Sequence, residues 1–331
     1  MAPRSDLPDI HGLIVVDKPA GWTSHDVVAR VRRLTGMKRV GHGGTFDPFA
    51  TGVVVVAVGR ATRVLQYIQD SDKRYLAHVV LGAETDTLDV DGEVVSRNRG
   101  ESLPAREDVE SRSGAPATPA PSLPAREDVE AALAHFTGEI EQVPPAYSAI
   151  KVQGRRLYER ARAGEAVVAP TRIVRIDAID VLDFEPPDLL LDISCGKGTY
   201  IRSIARDLGA RLGSGAYCHG LRRIRNGAFT VADAWTLDEL DAIDLRGRWP
   251  EVATHPDRAV ANLDAIILDG DQTEAWYHGR SVDPVTIDAR PWPALLRVYT
   301  PDGRFAGIGR HQDDGALRPA FVFSASEEGQ A

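Results

Sequence analysis

The chain is poor in the residues that build disulfides, metal sites and membrane spans. Its 331 residues include two cysteines, Cys195 and Cys218, which are too few for a disulfide framework and lack metal-ligand spacing. We therefore expect two reduced thiols, a cytoplasmic location and no metal or other cofactor. No apolar run reaches the length of a membrane-spanning helix, and residues 1–6 lack the apolar segment of a secretory signal.

Lysine is also scarce, and the net charge of −9 is unusual for a protein that binds phosphates. Residues 1–230 carry 30 acidic and 30 basic side chains, so the excess of 18 acidic over 9 basic lies in residues 231–331. Two segments are strongly basic, 151–175 and 197–225. Charge runs are most often solvated helix faces, but two that flank one site are the pattern expected of a surface for a phosphate backbone.

What the chain does contain is a glycine-rich segment around a single acid. Residues 41–52 read Gly-His-Gly-Gly-Thr-Phe-Asp-Pro-Phe-Ala-Thr-Gly and place Asp47 just before the apolar run 53–58. The glycines allow a tight turn and a close approach to a ligand, and Pro48 restricts the backbone of Asp47 to extended conformations. Composition alone would favour a turn residue for such an acid.

The segment resembles the GH-x-G-T-L-D-P-x-A-T-G signature of the TruB family of tRNA pseudouridine synthases. Four more blocks in the same order are similar to that family, at residues 12–25, 73–87, 144–158 and 195–203. Five ordered blocks are far more specific than one short motif. The chain departs from the family at Gly43, where Thr is usual, and at Phe46 and Phe49, where Leu is usual. These departures bear on the fit of the substrate more than on the type of reaction.

The resemblance implies an isomerase that converts the T-loop uridine of tRNA, conventionally position 55, into pseudouridine. It implies that Asp47 is the catalytic nucleophile and Arg202 its partner. It further implies that the other substrate-binding residues are Tyr75 against the target uracil, Tyr200 and Leu221 in the pocket wall, His42 at the RNA loop, and Lys18. Lys18 would either touch the phosphate backbone or support the Asp47 loop. Each of these side chains also has a purely structural interpretation, as a core, surface or loop residue.

The chemistry explains why these residue types suit the reaction. Pseudouridine formation breaks the bond between ribose C1′ and uracil N1 and rejoins C1′ to C5. That task suits a carboxylate, which is already ionised at neutral pH and must be oriented rather than activated. A guanidinium fork can orient it, and an aromatic ring can stack on a base extruded from the RNA. Whether Asp47 adds to the base, adds to C1′ or removes the C2′ proton stays open.

The pattern of apolar residues predicts an α+β fold, and the resemblance implies a pseudouridine synthase catalytic domain with a mixed, largely antiparallel sheet. Strands are expected at 12–17, 53–58, 75–81, 172–182, 189–195 and near 227–231. Helices are expected from Thr23 or Ser24 to Leu34, over 126–136 and from Tyr200 to Leu212. We assign residues 1–250 to a pseudouridine synthase catalytic domain, with 144–170 as an RNA-contacting segment. Trp249-Pro250 and His255-Pro256 are interpreted as a linker.

Two further regions complete the organisation. The sequence 102–110 recurs identically at 122–130, and we interpret 97–121 as a flexible duplicated insert rather than a structural repeat. Residues 251–331 carry short alternating segments at 295–299, 303–309 and 319–323, similar to the small PUA-like β-barrel module of bacterial TruB proteins. We expect a monomer that acts on tRNA without an obligate protein partner and without a membrane.

Two other functions compete with this interpretation. The chain could be a non-catalytic tRNA-binding or folding module, although a mere binder has no need of Asp47. It could also be a pseudouridine synthase that acts on ribosomal or other RNA, which the blocks at 144–158 and the PUA-like tail disfavour. A metal-dependent phosphohydrolase is remote, because no second acid lies near Asp47 with ligand spacing.

Overall fold

The computed structural model describes residues 10–97, 123–148, 150–152, 154–157, 160, 169–283 and 293–323. The duplicated insert therefore lies outside the described residues except for Arg97, and so does much of the segment 144–170. No helix within the described ranges is both long and apolar enough to cross a membrane.

Strands dominate the described chain. In chain order they are β1 Gly12–Lys18, β2 Val40–His42, β3 Thr51–Val58, β4 Lys73–Leu81, β5 Ala83–Thr85, β6 Val94–Arg97, β7 Gly138–Gln142, β8 Lys151–Val152, β9 Arg155–Arg156, β10 Arg172–Glu185, β11 Asp188–Cys195, β12 Ala216–Asn226, β13 Phe229–Thr230, β14 Trp235–Thr236, β15 Ala265–Ile267, β16 Leu295–Tyr299, β17 Phe305–His311 and β18 Leu317–Val322.

The helices are fewer than the strands in the described part of the chain and lie between them in sequence. They are α1 Ser24–Thr35, α2 Leu65–Asp70, α3 Arg126–Leu133, α4 Ile201–Leu212, α5 Leu237–Asp241, α6 Trp249–Val252 and α7 Gly270–Tyr277, with 3-10 turns at Gly59–Val64, Ala134–Phe136, Val231–Asp233 and Pro256–Val260. The predicted start of α1 is confirmed, because the Thr23 hydroxyl accepts from Asp26 N and Gly36 closes the helix in the left-handed region.

A large central sheet has the strand order β14-β1-β3-β12-β4-β11-β10-β7, with β2 and β13 attached to β3 and β12. Only the β14–β1 and β12–β3 pairs within it are parallel. The predicted mixed, largely antiparallel sheet and the α+β class are therefore confirmed.

The unbroken apolar sequence of β3 is explained by its position in the fold, because both of its faces are covered. Val54, Val56 and Val58 pack into the main core with α1 and α4, whereas Val53 and Val55 face a second core that includes Phe305 and Phe321 of the C-terminal region. A strand buried on both faces reads as a continuous apolar run rather than an alternating one. Burial of this strand also anchors the Asp47 loop that precedes it.

The strand expected near 227–231 is present as the short β13, but the major strand of that region is β12, which sequence patterning missed. Its pairing with β4 is irregular at Cys218/Gly220 and again at Arg223/Arg225, and these irregularities break the alternation that would reveal a strand. The linker at Trp249 is instead α6, because the Trp249 ring is buried and its Nε1 donates to His11 O.

The C-terminal region forms a four-stranded sheet in the order β15-β16-β17-β18, in keeping with a PUA-like module. The three segments predicted there correspond to β16, β17 and β18. Its core contains Trp276 and Leu296, and it packs against the β1–β3 face through Phe305 and Phe321. The boundary predicted at 250 is not a separation of cores, because Leu13 pairs with Thr254.

Candidate active site

A cleft of about 320 Å³ opens where the Asp47 loop, β4, β12 and the beginning of α4 meet. This volume is at the lower end of the range found for small-ligand sites. Five of the predicted site residues line it, namely Asp47, Tyr75, Tyr200, Arg202 and Leu221. Residues separated by up to 174 positions in the chain are thus brought to one cavity, as the resemblance predicted.

The Asp47 loop is held from beneath by Lys18, the last residue of β1. The Lys18 side chain is fully buried, and its Nζ donates to Pro19 O, Trp22 O and Pro48 O at 2.9, 2.7 and 3.1 Å. Burial lowers the pKa of this amine to about 8. Of the two roles weighed for Lys18, this geometry favours support of the loop over contact with a phosphate backbone.

Arg202 holds the Asp47 carboxylate from the side. Its Nη2 donates to Asp47 Oδ1 at 3.0 Å, and its Nε lies 2.9 Å from Oδ2 in an ion-pair contact without hydrogen-bond alignment. The arginine side chain is 3% exposed, whereas that of Asp47 is 30% exposed. A planar guanidinium that contacts both carboxylate oxygens restricts their rotation, so the acid is oriented while it stays accessible from the cleft.

A second acid, Asp89, completes this arrangement and was not predicted. It is buried in the turn between β5 and β6, and its Oδ2 accepts from Arg202 Nη1 at 3.0 Å. Its Oδ1 accepts from the Thr87 hydroxyl at 2.6 Å. Burial raises the pKa of Asp89, and the Arg202 charge opposes that shift. The family-like block 73–87 ends two residues before Asp89, and only the fold shows that Asp89 reaches Arg202.

Arg202 makes two more contacts that fix its guanidinium plane. Its Nη1 also donates to Thr87 O at 2.9 Å, and its Nη2 donates to Tyr147 O at 3.0 Å. The alternative interpretation of Arg202, as a residue that only contacts solvent or phosphate at the surface, is therefore wrong. It is a buried hub that links the Asp47 loop, the Asp89 turn and the segment at Tyr147.

Tyr75 forms the apolar floor of the cleft together with Phe46. Tyr75 is 8% exposed and Phe46 6%, and their ring centroids lie 6.4 Å apart in a tilted arrangement. Burial raises the pKa of the Tyr75 hydroxyl, so the neutral phenol is favoured. Leu221 and Tyr200 line the same cleft as Tyr75 and Asp47, and stacking of the uracil on Tyr75 stays a prediction.

The unusual residues of the loop have structural partners. A Cβ at Gly43 would lie 2.4 Å from Ile68 Cγ2, so the Ile68 side chain occupies the space that a threonine would need. Phe46 fills the position usually taken by leucine and packs beneath the Arg223 guanidinium, whose centre lies 4.2 Å from the ring centroid. Phe49 packs against the main core. The departures at 43 and 46 are thus matched by Ile68 and Arg223.

His42 does not line the cleft but lies beside it on β2. Its Nδ1 is 3.0 Å from Gly44 O, and its ring contacts that of His25 edge-on with centroids 5.1 Å apart. Burial lowers the pKa of His42, so the neutral ring is favoured at physiological pH. Its position at the rim is compatible with the predicted RNA contact, which stays a prediction.

Several basic residues of the segments 151–175 and 197–225 already have partners within the protein. Lys197, Arg206, Arg175 and Arg222 already form ion pairs with nearby aspartates. Arg202 is buried in the site, and Arg223 is 2% exposed. Two arginines of the second run thus help to build the cleft, and the use of the two runs as a surface for a phosphate backbone stays a prediction.

Comparisons with known proteins agree with this geometry. The model "TruB family pseudouridylate synthase (N terminal domain)" matches residues 32–115 and 106–201. "tRNA pseudouridylate synthase B C-terminal domain" matches 202–272, and "Pseudouridine synthase II TruB, C-terminal" matches 265–323. The chain belongs to the TruB family of pseudouridine synthases, and it is an isomerase.

Curated relatives match over nearly the whole chain. A protein of Trichormus variabilis is 41% identical over 318 residues, and one of Dehalococcoides mccartyi is 39% identical over 314 residues. The alignments cover 95% of this chain and 99% and 97% of those proteins, respectively. Both relatives are named tRNA pseudouridine synthase B.

Solved structures show the same fold. The matching chain in a Cbf5-Nop10-Gar1 complex superimposes with a TM-score of 0.67 and 26% identity, over 95% of this chain and 85% of its own length. An archaeal Nop10-Cbf5 complex gives a TM-score of 0.66 at 24% identity, covering 96% of this chain and 88% of that one, which supports the fold alone. The pseudouridine synthase fold is thereby confirmed.

Proposed function

We propose that the chain isomerises the T-loop uridine of tRNA, at position 55, to pseudouridine, with Asp47 as the catalytic nucleophile. The substrate class follows the names of the relatives, and the position follows the resemblance of the five motif blocks. The observation that carries the role of Asp47 is its placement in the cleft wall, partly exposed, with both carboxylate oxygens in contact with the buried Arg202.

The geometry supports a reaction on a single extruded nucleotide. The cleft is too small for a duplex and accepts one base with its ribose, which must leave the RNA stack to reach Asp47. Tyr75 would stack on the uracil, and Asp47 would then face the sugar. The residues of the chain thus bind the base, orient the acid and limit the access of water during the exchange of N1 for C5.

The chemistry must keep the freed uracil in place while it turns. The C1′–N1 bond breaks, the base reorients, C5 bonds to C1′, the C5 proton leaves and N1 gains a proton. Enclosure by Tyr75, Phe46 and Leu221 would hold the base without fixing its rotation, since flat apolar surfaces offer contact area with little directional preference.

Asp47→Asn tests the proposal directly. The variant should form no pseudouridine from unmodified tRNA, while its affinity for tRNA stays within about tenfold, or roughly 1.4 kcal/mol, of the parent. Position-resolved mapping of pseudouridine checks the product, and a filter-binding titration checks affinity. Turnover by the purified variant beyond any back-deamidated fraction would remove Asp47 from the mechanism.

The same assay tests the substrate. Unmodified tRNA and ribosomal RNA fragments are incubated separately with the parent protein, and the product is mapped in each. We expect product in the T-loop of tRNA. Product in ribosomal RNA alone would favour the synthase of other RNA, and absence of product in both, with tRNA bound, would favour the non-catalytic binding module.

A further inference from the structure

Arg223 is a cation that the mechanism so far leaves unused. It lies on β12 directly opposite Tyr75 of β4, and it also pairs with Gly52 of β3, just after the Asp47 loop. A Cβ at Gly52 would lie 2.3 Å from Arg223 O, and Gly52 has a φ of +104°, so glycine is required for this close approach. The topology therefore places Arg223 between the two elements that hold Tyr75 and Asp47.

The Arg223 guanidinium contacts Val53, the Phe46 ring and the Tyr75 hydroxyl, but one of its nitrogens has no aligned acceptor among the described residues. Its Nε donates to Val53 O at 2.8 Å, and its plane lies over the Phe46 ring. Its Nη2 is buried and has no hydrogen-bond partner among the described residues, although Arg223 lines the cleft. A buried charged donor without an acceptor is costly unless a bound molecule supplies the acceptor.

We infer that Arg223 Nη2 donates to a carbonyl oxygen of the target uracil and stabilises the negative charge that the base acquires during the reaction. This inference rests on the proposed function and adds to it a second cationic residue that contacts the substrate. Uracil offers two carbonyl acceptors, O2 and O4. The base, rather than a phosphate, is the partner because Arg223 is 2% exposed at the depth of Tyr75, which the RNA backbone cannot reach.

The charge argument holds for every route left open for Asp47. If the acid adds to the base, the electron pair of the ring double bond moves onto the C5–C4–O4 system. If the acid instead attacks C1′, or removes the C2′ proton, the C1′–N1 pair leaves with the uracil, whose charge spreads over N1, O2 and O4. O4 therefore becomes more negative in each case, and O2 does so when the uracil leaves as an anion. A preorganised guanidinium in a dry cleft is suited to such a charge.

Neighbouring charges are consistent with an anion at this place. Burial is the main cause that lowers the pKa of Lys18 and of Lys73, each to about 8, and the Arg223 charge lowers both further. Asp47 is paired with Arg202, so the cationic groups at the floor of the cleft exceed the acids that face them. An anionic uracil would restore the balance while it exists.

The test combines substitution of Arg223 with substitution of single atoms in the substrate. Parent protein and Arg223→Met are assayed on tRNA that carries uridine, 2-thiouridine or 4-thiouridine at the target, because sulfur is a weaker acceptor than oxygen. A hydrogen bond to a charged group is stronger than a neutral one, so one of the two sulfur substitutions should slow the parent about tenfold or more. The same substitution should have little effect on Arg223→Met, whose turnover is already reduced.

A matched control and a second variant distinguish loss of the Arg223 contact from a general loss of structure. Arg248→Met removes an exposed guanidinium paired with Glu251, near the other end of β1, and should keep both turnover and the parent's sulfur effect. Arg223→Lys keeps the charge over Phe46. If Arg223→Met does not fold, Arg223→Lys is assayed on the same three substrates in its place.

The outcomes separate this inference from the proposed function. Product formation by the parent on uridine upholds the function whatever Arg223 does. The contact is overturned if the turnover of the parent is insensitive to both sulfur substitutions. It is also overturned if sulfur at O2 and sulfur at O4 each slow the Arg223 variant by the same factor as the parent. A sulfur effect that disappears in the Arg223 variant supports it and identifies the oxygen.

Discussion

Arg74 and Tyr75 are neighbours on β4, but they face two different environments. On the inner face, Tyr75 lies in the cleft, and the nearby Arg202 is 3% exposed where it contacts Asp47 and Asp89. On the outer face, Arg74 is 49% exposed and makes a two-pronged contact with Asp192, from Nε to Oδ1 at 2.8 Å and from Nη2 to Oδ2 at 2.6 Å. The same pair of chemical groups therefore occurs on both faces of one sheet.

The difference lies in what solvent does to each pair. Water reaches the Arg74 guanidinium and screens its charge, although its partner Asp192 is only 8% exposed, so this pair is screened more than the Arg202 pairs are. Arg202 is removed from water and is committed to two carboxylates and two carbonyl oxygens, so the loss of its geometry leaves buried groups without partners. The inner pair should control the reaction, and the outer pair should not.

The largest effect is expected from Arg202→Lys. An ammonium keeps the charge but cannot contact Asp47 and Asp89 at once with a planar fork. We expect turnover to fall at least about a hundredfold, or roughly 2.7 kcal/mol, with a lower melting temperature. Single-turnover kinetics and thermal unfolding measure both. Near-normal turnover would show that Arg202 acts as a point charge and that the buried geometry is dispensable.

Asp89→Asn should have a smaller effect that appears in turnover rather than in binding. The amide can still accept one hydrogen bond from Arg202, but the charge that fixes the guanidinium from behind is lost. Loss of a charged hydrogen bond of about 1.5–3 kcal/mol corresponds to a fall of about ten- to hundredfold in kcat. Measured kcat and KM distinguish this from damage to RNA binding. A rise in KM with unchanged kcat would contradict a positioning role for Asp89.

Burial of Lys18 beneath the Asp47 loop should make the free energy of unfolding depend on pH. Its pKa in the folded protein is about 8 against 10.5 for an exposed lysine, so the unfolded chain binds more protons between those values. The free energy of unfolding then rises with pH in that window for this group. We expect the parent to gain stability relative to Lys18→Met from pH 8 to 10, measured by urea unfolding. A constant difference across that range would contradict the lowered pKa.

The smallest effect is expected from Arg74→Lys, the outer-face counterpart of Arg202→Lys. The ammonium can still pair with the buried Asp192, so the carboxylate keeps a charged partner, and the Arg74 end of the pair lies in solvent. Turnover and tRNA affinity should stay at the parent's values, and the melting temperature should change little. If Arg74→Lys impaired turnover as strongly as Arg202→Lys, burial would not be what distinguishes the two faces of the sheet.

Much of the site could be predicted from the sequence because its motifs are local. The segment 41–52 places Asp47 in a glycine-rich loop before a buried strand, and the blocks around Tyr75 and Arg202 carry their own patterns. Asp89 and Arg223 were missed as members of the cleft. Asp89 sits in an acid-rich turn of ordinary appearance, and Arg223 lies on a strand whose two irregularities hide its alternation.

Patterns along the chain therefore determined the family, the α+β class, most of the strands and the loop that carries Asp47. They could do so because periodicity and short motifs are properties of neighbouring residues. Only the tertiary structure decided that Lys18 supports the loop, that Asp89 and Asp47 share one guanidinium, and that Arg223 lies over Phe46. Those contacts join residues up to 177 positions apart. Their effect depends on burial, which turns ordinary charged residues into fixed parts of a site by removing the water that would otherwise screen them.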